Sequence, residues 1–287
     1  MKRPVGVVAV ALGAVMALLG CRQKDETARR VPPINATIVR GEPVAPGALR
    51  QVVGLTYGGE RRARCTGTLI DRDIVLTAAH CVCVQRPTNV FVGDNTASTE
   101  PSSRGLFYPI VETRAALHCG AEGSDTAVDI AVVRLKNPVL GVAPLSYAAD
   151  EIVDRATAFR VVGFGATNEA GSDYDPQKQE AAVPALSTAC DRAGDSQKYG
   201  CQIGQEIVAG QRRTPDTCTG DSGGPLLVSA KSDAGSPSAP GFSIAGVTSR
   251  SVAGAATACG DGGIYERLQP SIRIWLTAAI KSMHGGR

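Results

Sequence analysis

The sequence predicts an all-β protein, made of two consecutive antiparallel six-stranded β-barrels and one C-terminal helix. Two observations carry this reading. The 287 residues include 33 glycines and 17 prolines, and the apolar residues fall into short runs between turn formers, with few long runs at helical period. The runs also divide into two series of six. The first covers 51–55, 66–70, 74–76, 89–92, 106–111 and 130–135; the second covers 158–164, 179–183, 206–209, 225–228, 242–248 and 263–268. A connector over 139–154 lies between them. Ile272, Trp275, Leu276 and Ala279 recur at helical spacing over 271–283, which supplies the terminal helix. Polar stretches rich in Gly, Ser or Pro over 95–103, 167–175 and 229–241 read either as loops that shape access to a site or as plain turns in solvent.

The amino end has a different character. Lys2 and Arg3 precede a mostly apolar run over 5–19, too short and too rich in small residues for a comfortable membrane span, so residues 1–20 read as an export signal. Leu18-Leu19-Gly20-Cys21 resembles the bacterial lipobox, in which the signal is cut before the cysteine and a lipid is attached to it; the alternative is an ordinary signal peptide with a chance cysteine. Residues 21–37, charged and with Pro32-Pro33, suggest a tether or propeptide. Within it, Asn35-Ala36-Thr37 matches a glycosylation pattern by chance. The expected location is the cell envelope, lipid-anchored through Cys21, with Arg22 resembling an outer-membrane sorting signal. Without Lys2 and Arg3, 28 basic residues face 27 acidic ones, so no nucleic-acid partner is expected.

Three motifs carry chemistry. In 214–226 the order Thr-Pro-Asp-Thr-Cys-Thr-Gly-Asp-Ser-Gly-Gly-Pro-Leu sets Ser222 among Gly220, Gly223 and Gly224, backbone that tolerates positive φ and close approach. The amides of Gly220 and Ser222 can converge there to hold an oxyanion. Upstream, Leu76-Thr77-Ala78-Ala79-His80-Cys81 supplies one of three histidines, and Asp129 begins the apolar run Ile130-Ala131-Val132-Val133. A serine hydroxyl needs a base, and a histidine serves best when a buried carboxylate fixes its tautomer. Asp125, His118 and His284 lack such a context.

His80, Asp129 and Ser222, in that order, resemble the trypsin/chymotrypsin-like serine proteases over 38 to about 281. The resemblance implies the chymotrypsin-like double barrel, with 38–142 and 158–287 as its halves and 143–157 between them. Val162-Gly163-Phe164-Gly165 resembles a strand of the second barrel, with Phe where Trp is usual. Activity would be endopeptidic, through a His80-Asp129-Ser222 triad, without cofactor or metal, on protein or peptide substrates, in a monomer. Of nine cysteines, eight remain once Cys21 is set aside, enough for four bridges in an exported protein. The resemblance pairs Cys65 with Cys81 and Cys218 with Cys259; of the four cysteines left, proximity within one barrel each pairs Cys83 with Cys119 and Cys190 with Cys201. Cys81-Val82-Cys83 lacks the paired spacing of a structural zinc site.

Ile38-Val39-Arg40-Gly41 resembles the family's mature amino end, whose α-ammonium would pair with Asp221. Thr37 departs from the Arg or Lys expected before a trypsin-type cut, so another activating protease is implied, or activation differs. Asp216 falls where the family places the pocket floor, which implies cleavage after Arg or Lys; the alternative is a surface loop acid after Pro215. Ser249 fits the substrate-binding segment and Gly263 an open pocket wall. Arg250 and Ser251 replace the usual aromatic and glycine: Ser251 would narrow the entrance, and Arg250 would either repel a basic substrate or be swung aside. Elastase-like cleavage after small residues is one alternative, and a non-catalytic binding protein on the same fold is another.

Overall fold

The computed structural model describes residues 1, 38–99, 105–116, 119, 128–229 and 241–285. The expected signal and tether, Cys21, Thr37, His118, Asp125 and parts of the 95–103 and 229–241 insertions lie outside the described residues.

A two-residue strand β1 (Glu42–Pro43) precedes β2 (Val52–Thr56), β3 (Cys65–Leu69) and β4 (Ile74–Thr77), then a short helix α1 (His80–Cys83). After β5 (Asn89–Val92), β6 (Leu106–Ala115) and β7 (Ala131–Leu135) the first barrel is complete, closed and antiparallel in the order β2-β3-β4-β7-β6-β5. Its strands are short and rich in β-branched residues, which suit a pleated, packed surface; every residue of β2, β3 and β4 is buried.

The connector carries α2 (Asp150–Asp154). The second half comprises β8 (Ala158–Gly163), β9 (Gln179–Ser187), α3 (Asp195–Tyr199), β10 (Glu206–Ala209), β11 (Pro225–Ser229), β12 (Phe242–Ser251) and β13 (Gly263–Arg267). Its order is β9-β10-β13-β12-β11-β8, and the β8–β9 pairing closes this second six-stranded barrel, with β1 added outside β9.

The terminal helix α4 (Pro270–Gly285) returns to the first barrel's core. Ile272, Leu276, Ala279 and Met283 are buried with Ile74, Val133 and Leu135 in one apolar cluster, the single stripe expected of an amphipathic helix. Burying each large side chain of that stripe stabilises by roughly 1.5–3 kcal/mol. His284 Nε2 meets Asp73 Oδ1 at 3.0 Å and fastens the helix end.

Between the barrels the contacts are polar as well as apolar. Phe164, at the usual Trp position, packs edge-on against Phe91 of the first barrel, with centroids 5.9 Å apart. Lys178, fully buried just before β9, donates from Nζ to Leu49 O at 2.9 Å and lies 3.4 Å from Asp94 Oδ1. Burial pulls its ammonium down to about 8, against the opposing charge of Asp94. The insertion over 167–175 is built around Asn168, whose Oδ1 accepts the amides of Ser172 and Asp173, so this polar stretch is an ordered turn.

All four expected bridges are present: Cys65–Cys81, Cys83–Cys119, Cys190–Cys201 and Cys218–Cys259.

Candidate active site

The site forms where the barrels meet. His80 opens α1 directly after β4, and Asp129 lies two residues before β7, the strand that pairs with β4. That pairing brings acid and base together. His80 Nδ1 lies 2.8 Å from Asp129 Oδ2, the His80 amide donates to Asp129 Oδ1 at 2.9 Å, and the Ser249 hydroxyl donates to Oδ2 at 2.7 Å. Burial pushes the Asp129 carboxyl up, but the His80 hydrogen bond and charge, with Ser249, outweigh it and hold it below the usual aspartate range.

Ser222 comes from the second barrel, on the turn before β11. Its carbonyl accepts the Thr66 amide at 2.8 Å, and the Thr66 hydroxyl donates to Gly220 O at 2.9 Å. Thr66 therefore sutures the serine turn to β3, beside the Cys65–Cys81 bridge that adjoins His80. A Cβ on Gly223 (φ 81°) would lie 2.1 Å from Thr77 Oγ1 and 2.8 Å from Ala78 N, on the segment that leads into His80. Only glycine permits that approach. The Asp221 and Gly223 amides bond Cys218 O and Thr248 O, whereas neither the Gly220 nor the Ser222 amide meets a backbone acceptor among the described residues.

Asp221 is fully buried, and its oxygens accept the amides of Gly165 and Cys218 at 2.8 and 2.9 Å. Burial pushes its carboxyl up to about 7 against those bonds. Among the described residues no cationic side chain pairs with it. Ile38 is buried too, at φ 42°, and Val39 O accepts the Asp216 amide at 3.1 Å.

Beside Ser222 lies a cavity of about 170 Å³, walled by Thr217, Thr219, Ser249, Ser251 and Gly263 among others. Asp216 is bonded to the wall residues Thr217 and Gly262 and is 1% exposed, its Oδ2 accepting the Gly260 and Gly262 amides at 2.9 Å each and its Oδ1 the Thr217 amide at 2.8 Å. Burial raises its carboxyl to about 6, opposed by those three amides. The alternative of a surface acid is thereby excluded. Arg250 also lines the cavity, while its guanidinium is held by Glu206 and donates to Gly200 O at 3.1 Å. Ser251 donates to Ala258 O at the rim. Thr66, Glu206 and Glu266 carry no signal in the sequence, since a lone polar residue in an apolar strand does not reveal its partner.

The family model described as Trypsin matches residues 38–276. The chain belongs to the trypsin family. A trypsin-like protease of Streptomyces glaucescens is 31% identical over 236 residues, covering 79% of this chain and 78% of that protein. Chymotrypsin-like elastase family member 1 of Homo sapiens is 29% identical over 231 residues, 76% of this chain and 83% of that protein. Among solved structures, neuropsin, a serine protease expressed in the limbic system of mouse brain, superposes with a TM-score of 0.64 at 23% identity, covering 84% of this chain and 99% of neuropsin. As a trypsin-family member, the chain is a serine endopeptidase that acts on protein or peptide substrates.

Proposed function

We propose that this endopeptidase cuts after Arg or Lys, with His80, Asp129 and Ser222 as its triad and the Gly220 and Ser222 amides as its oxyanion hole. The observation that carries the specificity is Asp216: a buried carboxylate bonded to the cavity-wall residues Thr217 and Gly262, whose oxygens take three amides and, among the described residues, no cationic side chain. A basic substrate side chain supplies the missing charge. In turnover His80 takes the Ser222 proton, the amides hold the oxyanion, and water resolves the acyl-enzyme. Peptide-library cleavage read by mass spectrometry, with a fluorophosphonate adduct mapped to Ser222, tests turnover and preference together.

Elastase-like cleavage after small residues is the second reading, favoured by the small cavity and by the fact that Asp216's oxygens are already satisfied by amides. Anilide substrates separate the two. Asp216→Ser is expected to lower kcat/KM on Arg and Lys anilides about a hundredfold, with little change on Ala and Val anilides. In the wild type, KM for the basic substrates should climb as pH falls through about 6, where Asp216 takes up a proton. Wild-type preference for Ala and Val would reject the trypsin-like reading.

Activation is proposed to follow cleavage before Ile38, whose new α-ammonium pairs with Asp221. Two features support this. Asp221 is a buried acid that needs a cation, and Ile38 is β-branched at positive φ, a conformation that costs on the order of 1–3 kcal/mol and that a freed terminus can relax. Edman sequencing of active enzyme should begin Ile-Val-Arg-Gly. Full activity in a chain still starting at Cys21 would exclude it. We further propose export and lipid anchoring through Cys21 in the cell envelope, with release by the same cut.

A further inference from the structure

We propose that Glu266 is a positioning residue for the reaction, anchoring the main chain of Asp129 and through it the orientation of His80. The proposal rests on the triad reading above. Glu266 lies on β13 of the second barrel and is 2% exposed; its Oε1 accepts the Asp129 amide at 3.0 Å, a bond that crosses the barrel interface. Asp129 spends both carboxylate oxygens on His80 and Ser249. Its amide is a further group by which its backbone can be fixed, and a buried amide left without an acceptor is costly.

The surroundings decide the state of that acceptor. Opposite Glu266 in the sheet, Glu206 on β10 takes the Arg250 guanidinium of β12 and the Gln202 amide. The nearby Arg250 guanidinium is thus committed to the neighbouring acid. His80 on α1 is in turn committed to Asp129. Burial pushes the Glu266 carboxyl up to about 8; the Asp129 amide bond opposes this, the charges of Glu206 and Asp129 add to it, and Arg250 pulls the other way. At neutral pH it is an uncharged acceptor, so it holds the Asp129 amide without setting a second negative charge beside the Asp129 carboxylate. Above that range it ionises and repels the acid it had been holding.

Glu266→Gln keeps the acceptor oxygen and removes the titration; Glu266→Ala removes both. Kinetics across neutral and alkaline pH, together with the low-field proton resonance of His80 Nδ1, provide the readout. Glu266→Gln should keep kcat at neutral pH and lose the step near pH 8 that the wild type shows on its alkaline side. Glu266→Ala should lose about tenfold in kcat with KM nearly unchanged, and its His80 resonance should shift or broaden. Wild-type kcat and resonance in Glu266→Ala, or an unchanged alkaline step in Glu266→Gln, would overturn the proposal. If Glu266→Ala does not fold, the glutamine pH profile decides. If the wild type shows no turnover the triad reading fails, and the His80 resonance alone then judges Glu266.

Discussion

Asp129→Asn is expected to lower kcat by about four orders of magnitude while KM changes little. The direction follows from donor counting around the carboxylate. Its two oxygens receive three donors, namely the His80 amide, His80 Nδ1–H and the Ser249 hydroxyl. An asparagine offers one oxygen and one NH2 group, so in either orientation a donor meets a donor. With NH2 at the Oδ1 position, the His80 amide loses its acceptor. With NH2 at the Oδ2 position, His80 Nδ1 must become the acceptor, and its proton moves to Nε2, the nitrogen that has to receive the Ser222 proton. The size of about 10⁴ is that of the same substitution in this family's triad and is carried over, not obtained from these distances. Steady-state kinetics on the preferred anilide, with a fluorophosphonate labelling rate as cross-check, measure it. A loss of tenfold or less would remove Asp129 from the triad.

Gly223→Ala is expected to be among the most damaging single methyl groups at the described glycines. At φ 81° an L side chain is already strained, and the new Cβ would stand 2.1 Å from Thr77 Oγ1, 2.5 Å from Thr66 O and 2.8 Å from Ala78 N. Two of those three atoms are backbone and cannot swing aside. The barrels must separate or the serine turn must tilt, at a cost of roughly 3 kcal/mol or more. For a domain of this size that is a fall of about 10 °C in Tm. Gly141→Ala isolates the conformational part, because Gly141 has φ 73° but nothing within 4 Å of its would-be Cβ; it should cost only about 1–2 kcal/mol. Thermal melts of both variants with an activity assay make the comparison. Equal shifts would show that the interface yields to the methyl group, and that the close approach does not hold Ser222 in place.

The barrels were legible because burial imposes a short period on every strand and glycine or proline marks every reversal. Strands that leave the core were read short. The apolar run over 106–111 stops where Glu112, Thr113 and Arg114 begin, yet β6 continues to Ala115, because those polar residues pair along the sheet and Glu112 bridges Arg114 and Arg134. The short helices α1, α2 and α3 span four or five residues each, too few to show any period. In the site, His80, Asp129 and Ser222 stood out because their neighbours are distinctive. Thr66 did not, and neither did Glu266 or Lys178, because each acts on a partner more than a hundred positions away. Arg250 was visible as a departure from the family pattern. Its ion pair was not, since that depends on Glu206, forty-four positions away.

Each disulfide closes within one barrel: two in the first, two in the second. The connector is therefore the sole covalent path between the half that bears the base and the half that bears the nucleophile. A single nick there would leave two separately cross-linked fragments, held in register by non-covalent contacts: Lys178, Thr66 and Phe164, the Asp129 bonds to Ser249 and Glu266, β1 on β9, and α4 in the first barrel's core. Such a clipped enzyme would keep working in dilute buffer and fall apart irreversibly on dilution into denaturant, with every cystine still intact.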